Sequence, residues 1–579
     1  MTQLSEEFAQ ATAQLTAPGA PWELAGDDPS GHYYVNAPTS LPAALAVARQ
    51  HGDREFLVYE GERRSFKQLM AEADAIAAAL QARGILPGDR VALAMRNYPE
   101  WMAAFIAVVS IGAVIVPVNS WGQPGEIART VADAGVRVVF CDQRRFDGLA
   151  SLLPDSGVDA VIARPTRADH SHGLAALLAD FIGQAPAPVA VDGADLAMIM
   201  YTSGTSGHAK GAASTHRAIC QALYNFEFAA TAAAMCNGQA IGAMLERGFE
   251  PSSLLAVPLF HVSGCHAQFL TNLRGGRRIV MMYKWDVQQA LRYIEQERIT
   301  TIAAAPAMVL DLLESPEFDQ TDTDSLFAIG IGGAATPPRV AQLLQAKMPQ
   351  NFSGTGWGMT ETNAQGASLA GKAFQAKPGS AGLPHPIIDI KICDEEGNAL
   401  VAGPGGDKSG AKSGEDEGEE SGEIWVRSPA NSREYWRRPQ ANAEEFRDGW
   451  LRTGDIGYLD QEGYLFLADR AKDMLIRAGE NIYPAEIENS LLALDAVKEV
   501  AVIGLPDDRR GEEVAAVVRL HPGQTLNEEA LLAFARAELA AYKVPTRVFF
   551  TAEALPRNAT NKLLKAQLRA DLLAILETA

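Results

Sequence analysis

From Phe66 the chain reads Phe-Lys-Gln-Leu-Met-Ala-Glu-Ala-Asp-Ala-Ile-Ala-Ala-Ala-Leu, with apolar residues at helical spacing, and Gly84 follows. That pattern predicts an amphipathic helix with a glycine stop. Arg90–Met95 and Val136–Cys141 are short apolar runs and predict buried strands. Between them lies Ala103–Val118, AAFIAVVSIGAVIVPV, without a single charge. It falls short of the roughly 20 residues a bilayer needs. Gly112 and Pro117 punctuate it, and β-branched residues gather after Gly112. The prediction is a buried helix stopped near Gly112, then a core strand. Alternation of this kind points to an α/β fold built around a largely parallel sheet. The rhythm returns at Ser253–Val257, Thr300–Ala304 and Ala328–Ile331, each leading into a turn with Gly or Pro. Ligand sites in such folds lie in the loops beyond the strand ends.

Residues 402–422, AGPGGDKSGAKSGEDEGEESG, break the pattern, with six acidic and two basic residues and almost nothing apolar. This composition cannot form a core and predicts a flexible acidic surface loop. Strand-and-turn patterning follows at Glu423–Arg427 and Gly463–Asp469. The last hundred residues mix strands (Val497–Gly504, Val514–Leu520) with helices (Glu528–Ala541, Leu564–Leu576), the pattern of a small α/β unit of its own. There is no internal repeat.

Composition narrows the classes. With 579 residues, 47% of them apolar, the chain can bury large cores, and its length suggests three or four folding units. Fifty basic against seventy-one acidic residues give a net charge of −21, which excludes a dedicated nucleic-acid binder but not small anionic substrates. The surplus sits mainly before residue 472, because residues 472–579 hold 13 Lys/Arg and 16 Asp/Glu. Five scattered cysteines form no C-x-x-C pair, so neither a metal knuckle nor a disulfide framework is expected. A polar, acidic start without an apolar segment does not read as a signal peptide. Together these features predict a cytoplasmic protein without a transmembrane segment.

The most informative segment is Tyr201-Thr-Ser-Gly-Thr-Ser-Gly-His-Ala-Lys-Gly-Ala212, behind the predicted strand Leu196–Met200. Thr202, Ser203, Thr205 and Ser206 supply hydroxyls, Gly204 and Gly207 allow close backbone approach, and Lys210 supplies a cation. That is a composition for wrapping polyphosphate; a plain Ser/Gly turn would not need the lysine. It is not a Walker A loop, since Gly204 to Lys210 has the wrong spacing and Gly211 stands where Ser or Thr would bind magnesium.

The loop resembles that of the adenylate-forming (AMP-binding) enzymes, [YF]-[ST]-S-G-[ST]-[ST]-G-x-P-K-G, except that Ala209 replaces the proline. Five further segments resemble that family's motifs. In Gly354-Thr-Gly-Trp-Gly-Met-Thr-Glu361 the resemblance implies that Trp357 stacks on adenine, Thr360 contacts the α-phosphate and Glu361 holds Mg²⁺. An aromatic face suits a purine, and a carboxylate suits a hard cation beside phosphates. Gly330-Ile-Gly-Gly-Ala-Ala335 is similar to the adenine wall, with Gly333, Ala334 and Ala335 against the base. In Gly449-Trp-Leu-Arg-Thr-Gly-Asp-Ile-Gly457, Asp455 would accept both ribose hydroxyls, although T-G-D alone is an ordinary turn. In Asp469–Pro484, Arg470 would contact ribose or α-phosphate, Lys472 would be the hinge, and Gly479, Glu480 and Asn481 would border the CoA tunnel. In Leu555–Lys565, Lys562 falls on the lysine that contacts the carboxylate and α-phosphate oxygens. Asn561 replaces the family's usual glycine there, and Asn tolerates left-handed backbone better than most residues.

The resemblance spans about Ser65 to Lys565. It implies a large multi-subdomain N-terminal domain (1–471) of layered sheets and helices, and a small mobile α/β C-terminal domain (472–579). Amino-acid-activating members place an aspartate where this chain has His261, so an acid without an amine is the expected substrate. His261 and Gly358 would line the acyl pocket, although a core-packed or capping His261 stays open. Cys265 and His266 are adjacent but lack an acidic orienter, so no thiol nucleophile is expected. Asp324-Ser-Leu326 mimics a pantetheine-attachment triplet by chance.

The activity implied is that of an AMP-forming acyl-CoA synthetase, an acid–thiol ligase that uses ATP, Mg²⁺ and coenzyme A and acts on a medium- or long-chain fatty acid. Loading of a carrier protein, activation of an aryl acid, luciferase-type oxidation and a non-catalytic nucleotide-binding protein are the alternatives. Its partners would be a small carboxylic acid, ATP and CoA, with a homodimer left open.

Overall fold

The structure is a computed structural model that describes residues 3–28, 30–152, 157–167, 172–202, 209–394, 396–400, 421–470, 473–477, 480–507, 510–559 and 561–578, with backbone alone at 27, 28, 470, 480, 481, 577 and 578. It is a mixed α/β fold with a large N-terminal domain of layered sheets and a small C-terminal domain. The acidic loop expected at 402–422 falls almost wholly outside the described residues.

The periodicity is realised closely where it is strongest. The helix Phe66–Ala82 opens with a reciprocal cap: Ser65 Oγ accepts from the Gln68 amide at 3.2 Å, and Gln68 Oε1 accepts from the Ser65 amide at 2.8 Å. The uncharged stretch is a helix, Pro99–Ser110, then Gly112 at φ 70° and the strand Val114–Pro117. Every residue from Trp101 to Val109 is buried, which accounts for the lack of charge there, and Glu100, buried in the first turn, pairs with Arg64 and Arg164. No described helix is long and apolar enough to cross a membrane.

Two sheets dominate the large domain. In the first, parallel strands Leu196–Thr202, Val114–Pro117, Arg90–Ala94, Val136–Cys141 and Asp159–Ile162 lie side by side, and Lys210–Thr215 adds antiparallel to Leu196–Thr202. In the second, Arg278–Met281, Ser252–Leu255, Thr301–Ala304, Ala328–Ile331 and Gly354–Gly358 run parallel. It then turns antiparallel through Gly366–Ala370, Ser380–Pro384, Leu465–Arg470 and Trp450–Leu459.

The two sheets are not separate folding units. One apolar cluster draws Leu93, Ile115 and Phe140 from the first sheet and Leu57, Leu255 and Ile279 from the second, with Trp101 and Phe105 between them. Each such buried side chain stabilises by about 1.5–3 kcal/mol, so the layers hold one another. The length-based expectation of three or four units therefore overcounts, because sheets that share a core do not divide. The small domain has its own five-stranded sheet, with Val497–Asp507 against Gly511–Leu520 at its centre, and its own core around Val502, Val514 and Leu531.

Candidate functional site

The ends of both large sheets and one turn of the small domain surround a cavity of about 960 Å³. Thr202, Lys210, His261, Gly333, Trp357, Gly358, Thr360, Glu361 and Lys562 all line it. A second cavity of about 280 Å³ lies against it, lined by Gly333, Ala334, Ala335, Trp357, Gly358, Asp455 and Lys562. Residues expected from five separate segments thus meet in one place.

Glycine brings the Trp357 segment to its position. A Cβ at Gly358 would lie 2.6 Å from the Ala364 carbonyl carbon, and one at Gly366 would lie 2.6 Å from Trp357 Cε3. The hairpin can close only with bare backbone at these points. It turns through Asn363 and Ala364, both left-handed, at φ 50° and 64°. Asn363 then ties the turn down: Ser214 Oγ donates to its Oδ1 at 3.1 Å, and its Nδ2 donates to the Ala430 carbonyl at 2.8 Å. Thr360 and Glu361 start this turn, so their placement follows from the strand Lys210–Thr215 that carries Ser214.

Trp357 is buried, and its Nε1 donates to Asp455 Oδ2 at 2.8 Å. Asp455 pairs with Arg470 across the antiparallel strands Trp450–Leu459 and Leu465–Arg470, and the side chain of Arg470 is outside the described set. Thr202 Oγ1 donates to the Lys210 carbonyl at 3.4 Å, closing the neck of the predicted phosphate loop. Ser203, Gly204, Thr205, Ser206 and Gly207 themselves lie outside the described residues, as do Lys472 and Gly479. The backbone of Glu480 and Asn481 forms a strand against Arg477 and Ile476.

Two residues at the centre of the site carry no motif. Tyr435 Oη lies 2.8 Å from Glu361 Oε1 and 2.8 Å from Glu445 Oε2. Lys210 Nζ pairs with Glu445 and sits 4.9 Å over the Tyr435 ring. Burial and the two carboxylates push the Tyr435 phenol well above its usual range, so it stays protonated. Two carboxylates, Glu361 and Glu445, thus meet beside the Lys210 cation at this corner. It suits a divalent cation held by a carboxylate and phosphate oxygens, the way Mg²⁺ is usually bound. Among the described residues no group of three His, Cys, Asp or Glu could hold a metal alone. The sequence signal for Tyr435 and Glu445 is faint: an aromatic and an acidic residue shortly before Gly449-Trp450.

Lys562 follows a tight turn in the small domain. Asn561 has φ 66°, and its amide donates to the Asn558 carbonyl at 2.9 Å. The Lys562 amide donates to Asn558 Oδ1 at 2.9 Å, so Asn at 561 serves the turn where glycine is usual. Lys565 Nζ pairs with Glu488 at 2.8 Å.

His261 lines the large cavity beside Phe260, and desolvation pulls its pKa down to about 4, so the ring is neutral. Cys265 is fully buried, and desolvation pushes its thiol far above the usual range. Ser325 is buried, with its hydroxyl donating to the Ile299 carbonyl at 2.9 Å.

Residues 45–436 match the AMP-binding enzyme family, and residues 486–562 match the AMP-binding enzyme C-terminal domain. The chain belongs to the AMP-binding enzyme family. Among relatives in that family, it is 33% identical to a long-chain-fatty-acid–CoA ligase of Mycobacterium tuberculosis over 88% of this chain and 93% of the relative. It is 32% identical to a feruloyl-CoA synthase of Amycolatopsis over 93% of this chain and 98% of the relative. It is also 32% identical to a fatty acid–[acyl-carrier-protein] ligase of Streptomyces coeruleorubidus, covering 88% and 92% of the two chains. Among solved AMP-binding enzymes, it superimposes with a TM-score of 0.70 on the Bacillus subtilis o-succinylbenzoate CoA synthetase in complex with its acyl-adenylate intermediate. The identity is 29%, over 91% of this chain and 97% of that one.

Proposed function

We propose that this AMP-binding enzyme is a cytoplasmic, ATP-dependent carboxylic acid–CoA ligase that forms an acyl-adenylate and then an acyl-CoA thioester. One observation carries the reading: Lys562 of the small domain lines the same cavity as Lys210, Trp357, Thr360 and Glu361 of the large one. That is an arrangement for joining a carboxylate to a nucleotide phosphate.

In the first step a carboxylate oxygen of the acid attacks the α-phosphorus of ATP, and the bond to the pyrophosphate oxygen breaks. Lys562, Thr360 and the 202–210 loop stabilise the charge that develops on the phosphate oxygens. Trp357 and the Gly333–Ala335 segment receive the adenine, Asp455 receives the ribose, and Arg470 contacts the ribose or the α-phosphate. Glu361, held by Tyr435, would bind Mg²⁺, which supplies positive charge to the phosphates. In the second step residues 472–579 turn about Lys472 and withdraw Lys562. The CoA thiol, led in past Gly479, Glu480 and Asn481, loses its proton and attacks the acyl carbon, and AMP leaves. Two conformations let one cleft run two chemistries.

The acid is best read as a medium- or long-chain fatty acid, with His261 and Gly358 at the pocket. His261 is neutral and offers no counter-ion to an ammonium, which disfavours amino acids. The test is release of AMP and pyrophosphate from ATP, Mg²⁺ and a panel of acids, with and without CoA. CoA-dependent thioester formation in step with AMP supports the reading; adenylate formation discharged only by a carrier protein selects that alternative, and no acid-dependent pyrophosphate contradicts both.

A further inference from the structure

The large cavity does not end at the adenylate site. It follows one face of the helix His216–Cys236, lined by Phe226, Ala229, Ala230, Ala233 and Cys236. From Phe226 to Cys236 is roughly 15 Å at 1.5 Å per residue. Thr301–Ala304 and Gly330–Gly332 of the second sheet, mostly small and apolar, line the same cavity, together with the polar Gln268, Asn272 and Arg277. Leu4 and Phe8, from another part of the chain, line the same cavity, on a helix whose Glu7 is close enough to Cys236 to act on its thiol. They stand four residues apart on the helix Gln3–Thr16, and so on one face of it.

This helix is well seated. It packs along His216–Cys236, with Ala11 and Leu15 buried and Leu15 in one cluster with Phe228 and Ala232. Ser5 Oγ donates to Glu462 Oε1 at 3.4 Å. It also lies outside residues 45–436, the stretch that matches the AMP-binding enzyme family.

We propose that Leu4 and Phe8 form the distal wall of the acyl site and set the upper length of the acid it accepts. The inference rests on the acid–CoA ligase reading and deepens it. An acyl chain that reaches Cys236 meets the Phe8 ring; shorter chains stop in the alanine-lined slot and never touch it. Burying one more methylene is worth about 0.8 kcal/mol, or about fourfold in kcat/KM.

The test is a length series of straight-chain acids, octanoate to stearate, with kcat/KM from AMP release for the wild type, Phe8→Ala, Leu4→Ala and Phe8→Trp. Phe8→Ala and Leu4→Ala should move the optimum to longer acids, with about a fourfold gain for each methylene newly accommodated. Phe8→Trp should move it to shorter ones, and octanoate turnover should stay within twofold in all three. Thermal melts identify any variant that is not folded, and the two remaining substitutions then decide. Wild-type turnover with a length profile that none of the folded variants moves overturns the wall assignment alone. A wild type that activates no straight-chain acid overturns both this assignment and the fatty-acid reading beneath it.

Discussion

Trp357 Nε1 donates a 2.8 Å hydrogen bond to Asp455 Oδ2, joining two segments that are 98 residues apart. The carboxylate that is read as the ribose acceptor also fixes the ring that is read as the adenine platform. Asp455→Asn keeps an acceptor for the indole but loses the second oxygen that a vicinal diol needs. Asp455→Ala also leaves a buried indole N–H unpaired, at a cost of about 1–3 kcal/mol. We expect both variants to raise the KM for ATP at least tenfold, and only Asp455→Ala to lower the melting temperature markedly. Equal melting losses in the two would contradict the shared role.

Tyr435 bridges Glu361 and Glu445, and Lys210 pairs with Glu445. Hydrogen bonds to charged groups contribute about 1.5–3 kcal/mol, a factor of roughly ten to a hundred. Tyr435→Phe should therefore cut kcat/KM for ATP by that factor and raise the Mg²⁺ concentration needed for half-maximal rate. Isothermal titration with ATP, with and without Mg²⁺, checks it. Unchanged Mg²⁺ dependence would show that Tyr435 does not orient Glu361.

Asn561 takes the left-handed conformation just before Lys562. Asn561→Gly should leave stability and activity near the wild-type level. A β-branched residue is strained there by about 1–2 kcal/mol, so Asn561→Val should misdirect Lys562. Adenylation should then fall about tenfold while thioester formation from supplied acyl-adenylate stays within twofold.

Buried histidines set an acid limit. Burial lowers His216, His261, His266 and His385 to about 4 in the folded chain, against about 6.5 when unfolded. Between those values the unfolded state binds more protons, so stability falls as pH drops from about 6.5 to about 4 and levels off below. Denaturant midpoints at pH 7, 6, 5 and 4 should decline in that window. Replacing His216 with Gln should flatten the decline if the variant folds with a similar midpoint at pH 7.

Much of this was legible in sequence because motif residues bind through backbone turns and fixed side chains that recur in order. Gly354–Glu361 and Gly449–Gly457 could be read that way, and the structure brings Trp357 and Asp455 together. The helix that stops before Gly112 was legible because burial on all sides leaves an uncharged run. Tyr435 and Glu445 were not, since their importance comes from a strand pairing between Ala212 and Tyr435 that no local pattern announces. Leu4 and Phe8 were hidden for the opposite reason. Two apolar residues in a polar, acidic segment look like a solvated helix until they are seen to line the same cavity as Cys236.

The most direct test of the two-step account is Lys562→Ala measured on each half-reaction separately. Removing one charge-stabilising donor costs on the order of 10²–10³ in rate. Acid-dependent pyrophosphate release should fall by that factor, while conversion of supplied acyl-adenylate and CoA to acyl-CoA should stay within a few-fold of the wild type. Equal loss of both half-reactions would contradict the account, because a lysine withdrawn from the cleft before thiol attack cannot govern that step.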